Sequence, residues 1–118
     1  MARILVVDDS YFMRMVLRNM LKKEKHEVLE AEDGEKAVSL YRRNRPELVT
    51  LDITMPVKDG IEAAREILEE DPFAKIIMVT ALGQESILKK AITLGVSEFV
   101  VKPFTTETVL EAVNRALK

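Results

Sequence analysis

Cysteine is absent from the 118 residues. That excludes disulfides, thiolate metal sites and a thiol nucleophile, and it suits a reducing compartment, so a cytoplasmic location is expected. There is no tryptophan, which removes the usual intrinsic fluorescence reporter. No surplus of basic charge exists: 18 Lys and Arg face 20 Asp and Glu, a net charge of -2. A nucleic-acid-binding domain normally carries a basic excess, so no nucleic acid is implied. No apolar run approaches the ~18 residues of a membrane span, and Met1-Ala2-Arg3 leads straight into an apolar run, so no signal peptide is expected. The sequence contains no G-x-x-x-x-G-K-[ST] and no G-x-G-x-x-G, which removes the P-loop and the dinucleotide fingerprint. The only histidine, His26, lies in the charged turn Lys23-Glu24-Lys25-His26-Glu27 and reads as solvated.

What is present is an ordinary globular balance, 47% hydrophobic and 32% charged, over a length that suits one domain spanning 1–118. Short apolar runs recur at Ile4 to Val7, Val28 to Ala31, Val49 to Leu51, Ile76 to Val79 and Phe99 to Val101. Between them lie segments of helical period. Phe12, Met13, Val16, Leu17, Met20 and Leu21 mark the first. Ala37, Val38 and Tyr41 mark the second, and Ile61, Ala64, Ile67 and Leu68 the third. Ile87, Leu88, Ala91 and Ile92 mark the fourth, and Val109, Leu110, Val113 and Leu117 the fifth. Asp33-Gly34, Asp59-Gly60 and Thr105-Thr106 supply turn or N-cap chemistry, and Gly95 is placed to end the fourth helix in a left-handed conformation. The clusters Lys22, Lys23, Lys25 and Arg42, Arg43, Arg45 stand where helix C-termini favour cations.

Strict strand–helix alternation predicts an α/β fold, a doubly wound parallel sheet of five strands with five helices. Strand two alternates with Glu27 and Glu30, which suits an edge, and 2-1-3-4-5 is the natural flavodoxin-like order. Ligands of such sheets bind at the carboxyl ends of the strands, where the winding reverses between strands one and three. Those ends carry Asp8-Asp9 and Asp52. Three carboxylates at one edge require a cation or a shared proton. All-oxygen ligands favour a hard cation, with Mg²⁺ the best fit. Strand four runs into Thr80 and strand five into Lys102-Pro103, adding a hydroxyl and an ammonium. Metal, hydroxyl and ammonium together suit a phosphoryl group, and a carboxylate can be its acceptor. Two acids after strand one would repel a flavin phosphate, so the fold does not imply FMN. Other roles exist for each residue taken alone. Asp8 or Asp9 could cap the first helix, Thr80 could be a strand-end hydroxyl, Lys102 a surface lysine, and Phe99 plain core.

Val7-Asp8-Asp9-Ser10, Leu51-Asp52-Ile53-Thr54-Met55-Pro56, Asp59-Gly60, Val79-Thr80-Ala81 and Val101-Lys102-Pro103-Phe104, in that order, resemble the motifs of response-regulator receiver domains, most of all their stand-alone chemotaxis members. The resemblance covers the chain from Arg3 to the last helix. It implies a phosphoacceptor switch of two-component phosphorelay signalling, not a turnover enzyme. Asp52 would accept the phosphoryl group from a histidine kinase. Asp9, Asp52 and the backbone carbonyl of Thr54 would hold Mg²⁺, with Asp8 acting mainly through water. Lys102 would be the phosphoryl counter-ion. Thr80 would be the switch hydroxyl and Phe99 the switch aromatic, and Lys102-Pro103 matches a position where a cis peptide is common. The signal would leave through a protein target on the face of the fourth helix, fifth strand and fifth helix, with the chain a monomer.

The chain departs from chemotaxis members at Phe99, where Tyr is frequent, so the ring has no hydroxyl to offer a partner. The apolar Leu82, two residues after Thr80, predicts slow self-dephosphorylation by hindering an attacking water. Alternatives are a receiver serving a kinase outside chemotaxis, a phosphorelay intermediate, a degenerate phosphate-independent interaction module, or a Mg²⁺-dependent aspartyl-phosphate phosphohydrolase. The last needs a second acid two residues after the nucleophile, where this chain has Thr54.

Overall fold

Each apolar run becomes a strand and each periodic segment a helix. In the computed structural model, which describes residues 1–81 and 85–118, the order is β1 (Arg3–Val7), α1 (Tyr11–Lys23), β2 (Glu27–Ala31), α2 (Gly34–Asn44), β3 (Leu48–Asp52), α3 (Gly60–Glu70), β4 (Ile76–Ala81), α4 (Glu85–Leu94), β5 (Glu98–Lys102) and α5 (Thr106–Leu117). The five strands pair in parallel as β2-β1-β3-β4-β5, the order expected from the sequence. No described helix is long and apolar enough to cross a membrane.

The helix starts are set locally. Asp33, Asp59 and Thr105 cap α2, α3 and α5, each side chain accepting the N–H of the residue three positions on. Ser10 caps α1 by accepting from the Met13 N–H. Asp8 therefore does not cap that helix, and its Oδ1 accepts instead from the Ser10 N–H at 2.9 Å. Gly95 follows α4 with φ +100°, as its placement implied.

Period-two alternation divides the core between two faces. Ile4, Val6, Leu48, Ile77 and Val100 face α1 and α5, packing with Leu17, Leu21, Val109 and Val113. Leu5, Val7, Val49, Leu51, Ile76 and Met78 face α2, α3 and α4, packing with Val38, Ala64, Ile67 and Ala91. All five residues of β3, the central strand, are buried.

Three sequence expectations are corrected by this packing. Phe12 is 63% exposed and Ile92 is 61% exposed, so neither shares the buried stripe of its helix. Helical period marks a stripe wider than the contact that the sheet can make with it. His26 is half-buried, not solvated. Its Nδ1 accepts the Ala2 N–H at 3.0 Å, and burial, first among the causes, holds its pKa below the usual value.

Candidate functional site

Extending the alternation past the strand ends places the site. Asp8 follows Ile4 and Val6, Asp52 follows Leu48 and Thr50, and Lys102 follows Val100. All three therefore lie on the α1/α5 side of the carboxyl edge. Lys102 Nζ stands 3.3 Å from Asp8 Oδ2 and 3.3 Å from Asp52 Oδ1, bridging two acids brought together from β1 and β3. Carboxylate oxygens of Asp8, Asp9 and Asp52 lie within 4.8 Å of one another.

The three acids are not equivalent. Asp8 is 2% exposed and held on every side. Its N–H donates to the Ala31 carbonyl, its Oδ1 accepts from Ser10, and its Oδ2 takes Lys102. Asp9 is exposed and makes no hydrogen bond or ion pair among the described residues. Asp52 is buried, and its Oδ1 takes both the Ile53 N–H and Lys102. Its Oδ2 has no such contact among the described residues. Burial raises the Asp52 pKa, and the Asp8 charge raises it further, against the pull of Lys102. For Lys102, burial works to lower the pKa, but Asp52 and Asp8 outweigh it and the pKa rises.

Such a donor set tests whether a cation fits. The ligands are all oxygen, one carboxylate is uncommitted, and three negative charges face one ammonium. A hard divalent ion suits this better than a soft one.

Thr80 lies on the other face. It follows Ile76 and Met78, so its Cβ points toward the α3 and α4 side. It is 1% exposed, and its Oγ1 donates to the Ala81 carbonyl. Phe99 is half-buried on that same face and lies across from Met78, while Thr80 lies across from Val101. The sheet thus separates a charged set (Asp8, Asp52, Lys102) from a hydroxyl–aromatic pair. Thr54 is exposed in the loop leaving β3, and Lys102-Pro103 is cis. Leu82, Gly83 and Gln84 lie outside the described residues.

Known proteins share this sequence and fold. The model of the response regulator receiver domain matches residues 4–114. The chain belongs to the response-regulator receiver family. This receiver is 53% identical over 118 residues to protein CcdB of Bacillus subtilis, covering 99% of this chain and 98% of that one. It is 51% identical over 116 residues to the chemotaxis protein CheY of the same organism, covering 98% and 97%. Among solved structures, the CheX–CheY–BeF3–Mg²⁺ complex of Borrelia burgdorferi superposes with a TM-score of 0.89 at 39% identity, covering 94% of this receiver and 85% of that chain. Receivers are phosphoacceptor components of two-component signalling, and they interact with histidine kinases and downstream targets.

Sequence reading missed a pair of arginines beside these residues. Arg14, on the first turn of α1, donates from Nη1 to the backbone carbonyl of Asp8 at 2.8 Å and from Nε to Glu30 at 3.1 Å. Arg18 pairs with the other oxygen of Glu30 at 2.7 Å. The only signal in the sequence was the pair Glu27 and Glu30 in β2, which spoke for an edge strand and not for a partner.

Proposed function

We propose that this chain is a stand-alone receiver that accepts a phosphoryl group on Asp52 and signals through a change of surface. The observation that carries the reading is the Lys102 ammonium held 3.3 Å from both Asp8 and Asp52 beside an uncommitted Asp9.

Asp52 is the acceptor because its Oδ2 keeps its lone pairs while Oδ1 is occupied by Ile53 and Lys102. The Asp52 oxygen forms a bond to phosphorus as the bond from phosphorus to the donor imidazole nitrogen breaks. The electron pair stays on that nitrogen, which takes a proton from solvent. Asp9, Asp52 and the Thr54 carbonyl would hold Mg²⁺, with Asp8 acting through water, and the ion would neutralise charge on the phosphoryl oxygens. Lys102, 3.3 Å from Asp52, leaves that contact for a phosphoryl oxygen and serves as its counter-ion.

Thr80 is the switch hydroxyl. Its buried position on the far face means that reaching a phosphoryl oxygen vacates space beside Phe99, and the ring moves into it. The face of α4, β5 and α5 then differs between the two states, and a protein partner that binds one state better completes the signal. The phosphodonor is a histidine kinase, the receiver acts in the cytoplasm as a monomer, and chemotaxis is the favoured pathway. Support for the last comes from full-length identity to CheY of Bacillus subtilis. Slow loss of the phosphoryl group is expected from Leu82, and a faster decay in Leu82→Ala would bear this out.

The deciding experiment is incubation with Mg²⁺ and acetyl phosphate, followed by locating the added mass. One phosphoryl group per chain on Asp52 is expected, with none in Asp52→Ala. An unlabelled wild type, label persisting in the variant, or multiple turnover of phosphate esters would refute the assignment.

A further inference from the structure

We infer that Arg14 is a positioning residue for the cation site, a brace that fixes where the Asp8–Asp9 turn sits. The inference rests on the reading of that turn as a Mg²⁺ site.

Arg14 reaches two points that do not otherwise touch. One arm of its guanidinium donates to the Asp8 carbonyl at 2.8 Å, and another meets Glu30 on the edge strand β2 at 3.1 Å. The Arg14 side chain is 13% exposed, so the contact is sheltered from water. Glu30 is fixed in turn by Arg18 at 2.7 Å. Burial works to raise the Glu30 pKa, but Arg18 and Arg14 outweigh it and hold the carboxyl below its usual range. The Tyr11 ring lies 5.7 Å from the guanidinium carbon. A planar fork held at both ends resists rotation, which a flexible ammonium does not.

What it braces is the peptide that leads to Asp9, the one acid of the three with no hydrogen bond or ion pair among the described residues. Asp52 belongs to the buried central strand. The chain leaves β1 at Asp8, and exposed Asp9 has no contact of its own. The direction in which Asp9 presents its carboxylate is set by the peptide that begins at the Asp8 carbonyl, and Arg14 holds that oxygen. Groups that orient metal ligands without touching the ion commonly alter affinity by about 10–100-fold.

Positioning and simple charge predict opposite signs. Removing a cation beside a cation site strengthens Mg²⁺ binding by charge alone. Loss of the brace weakens it. Arg18 serves as the control, since it carries the same charge and the same Glu30 pair but does not touch Asp8.

The test is calorimetric titration of MgCl₂ at fixed ionic strength, with folding followed by circular dichroism. Arg14→Gln is expected to bind about tenfold more weakly than wild type. Arg18→Gln should bind as wild type or more tightly. Arg14→Lys, which keeps the charge and loses the fork, should also bind more weakly, and it carries the test if Arg14→Gln does not fold. Arg14 variants that bind Mg²⁺ as well as Arg18→Gln would overturn the inference alone. A wild type that binds no Mg²⁺ would overturn it together with the site reading.

Discussion

Asp52→Asn should make the folded protein more stable at neutral pH. Carboxylate oxygens of Asp8 and Asp52 lie within 4.8 Å, a separation at which two unit charges repel by about 3.5 kcal/mol at an effective dielectric of about 20. Asp9 adds a smaller repulsion, because it is exposed and screened. Lys102, 3.3 Å from Asp52, attracts by about 5 kcal/mol on the same scale. These charge terms nearly cancel, which leaves burial to decide. Desolvating a carboxylate costs several kcal/mol, of which the Ile53 N–H returns a part, so about 2 kcal/mol remains. For a domain of this size that is about 8 °C in Tm.

The pH dependence fixes the cause. The folded pKa of Asp52 is raised, by burial first and Asp8 second. Between the unfolded and folded pKa values the native state holds more protons, so stability falls as pH rises through that window. Above it the full penalty is present, and below the unfolded pKa the penalty is gone. Asparagine does not titrate, so the gap between the variant and the wild type is largest at neutral pH and closes on acidification. Urea melts followed by circular dichroism, without Mg²⁺, over a descending series of pH values would measure it. A variant no more stable than wild type at neutral pH, or a gap that ignores pH, would refute the reasoning.

Three other substitutions probe the frame around the site. Thr50 is 2% exposed, and its hydroxyl has no partner among the described residues, so Thr50→Val should raise unfolding free energy by about 1 kcal/mol in the same melts. Val57 sits at φ +68°, inside a turn closed by the Lys58 N–H on the Pro56 carbonyl. A β-branched residue is strained there, and Val57→Gly should stabilise by about 1 kcal/mol, read as a higher urea midpoint at unchanged slope. A Cβ on Gly60 would stand 2.1 Å from the Asp52 carbonyl oxygen and 2.8 Å from Ile53 Cα, both backbone. Gly60→Ala should therefore cost about 3 kcal/mol or more and lower labelling by acetyl phosphate, because the strand end carrying Asp52 must move.

Much of this receiver was legible without coordinates because its signals are local. An N-cap needs only a side-chain oxygen and an N–H three residues on, which is why Asp33, Asp59 and Thr105 could be read directly. Buried strands are marked by short apolar runs, and the Glu spacing of β2 marked an edge. Where the reading failed, the cause was a contact made at a distance. His26 reads as solvated until Ala2, just before β1, is seen to donate to it. Phe12 fits the helical period, yet α1 turns it outward to solvent. Arg14 and Glu30 carry no mark of each other in the sequence, because the helix and edge strand that join them meet only in the fold.

The sequence by itself determined the residue types at each strand end, and with them the chemistry: oxygen ligands, an ammonium and a hydroxyl. It also made 2-1-3-4-5 the natural strand order, through right-handed connection and the polar edge strand. Only the tertiary structure decided that Asp8 and Lys102, 94 residues apart, share one side of the sheet while Thr80 stands on the other. The reason is the pleat. Alternation along a strand is local, but which face meets which helices, and which ends come level, is settled by parallel pairing across β1, β3, β4 and β5.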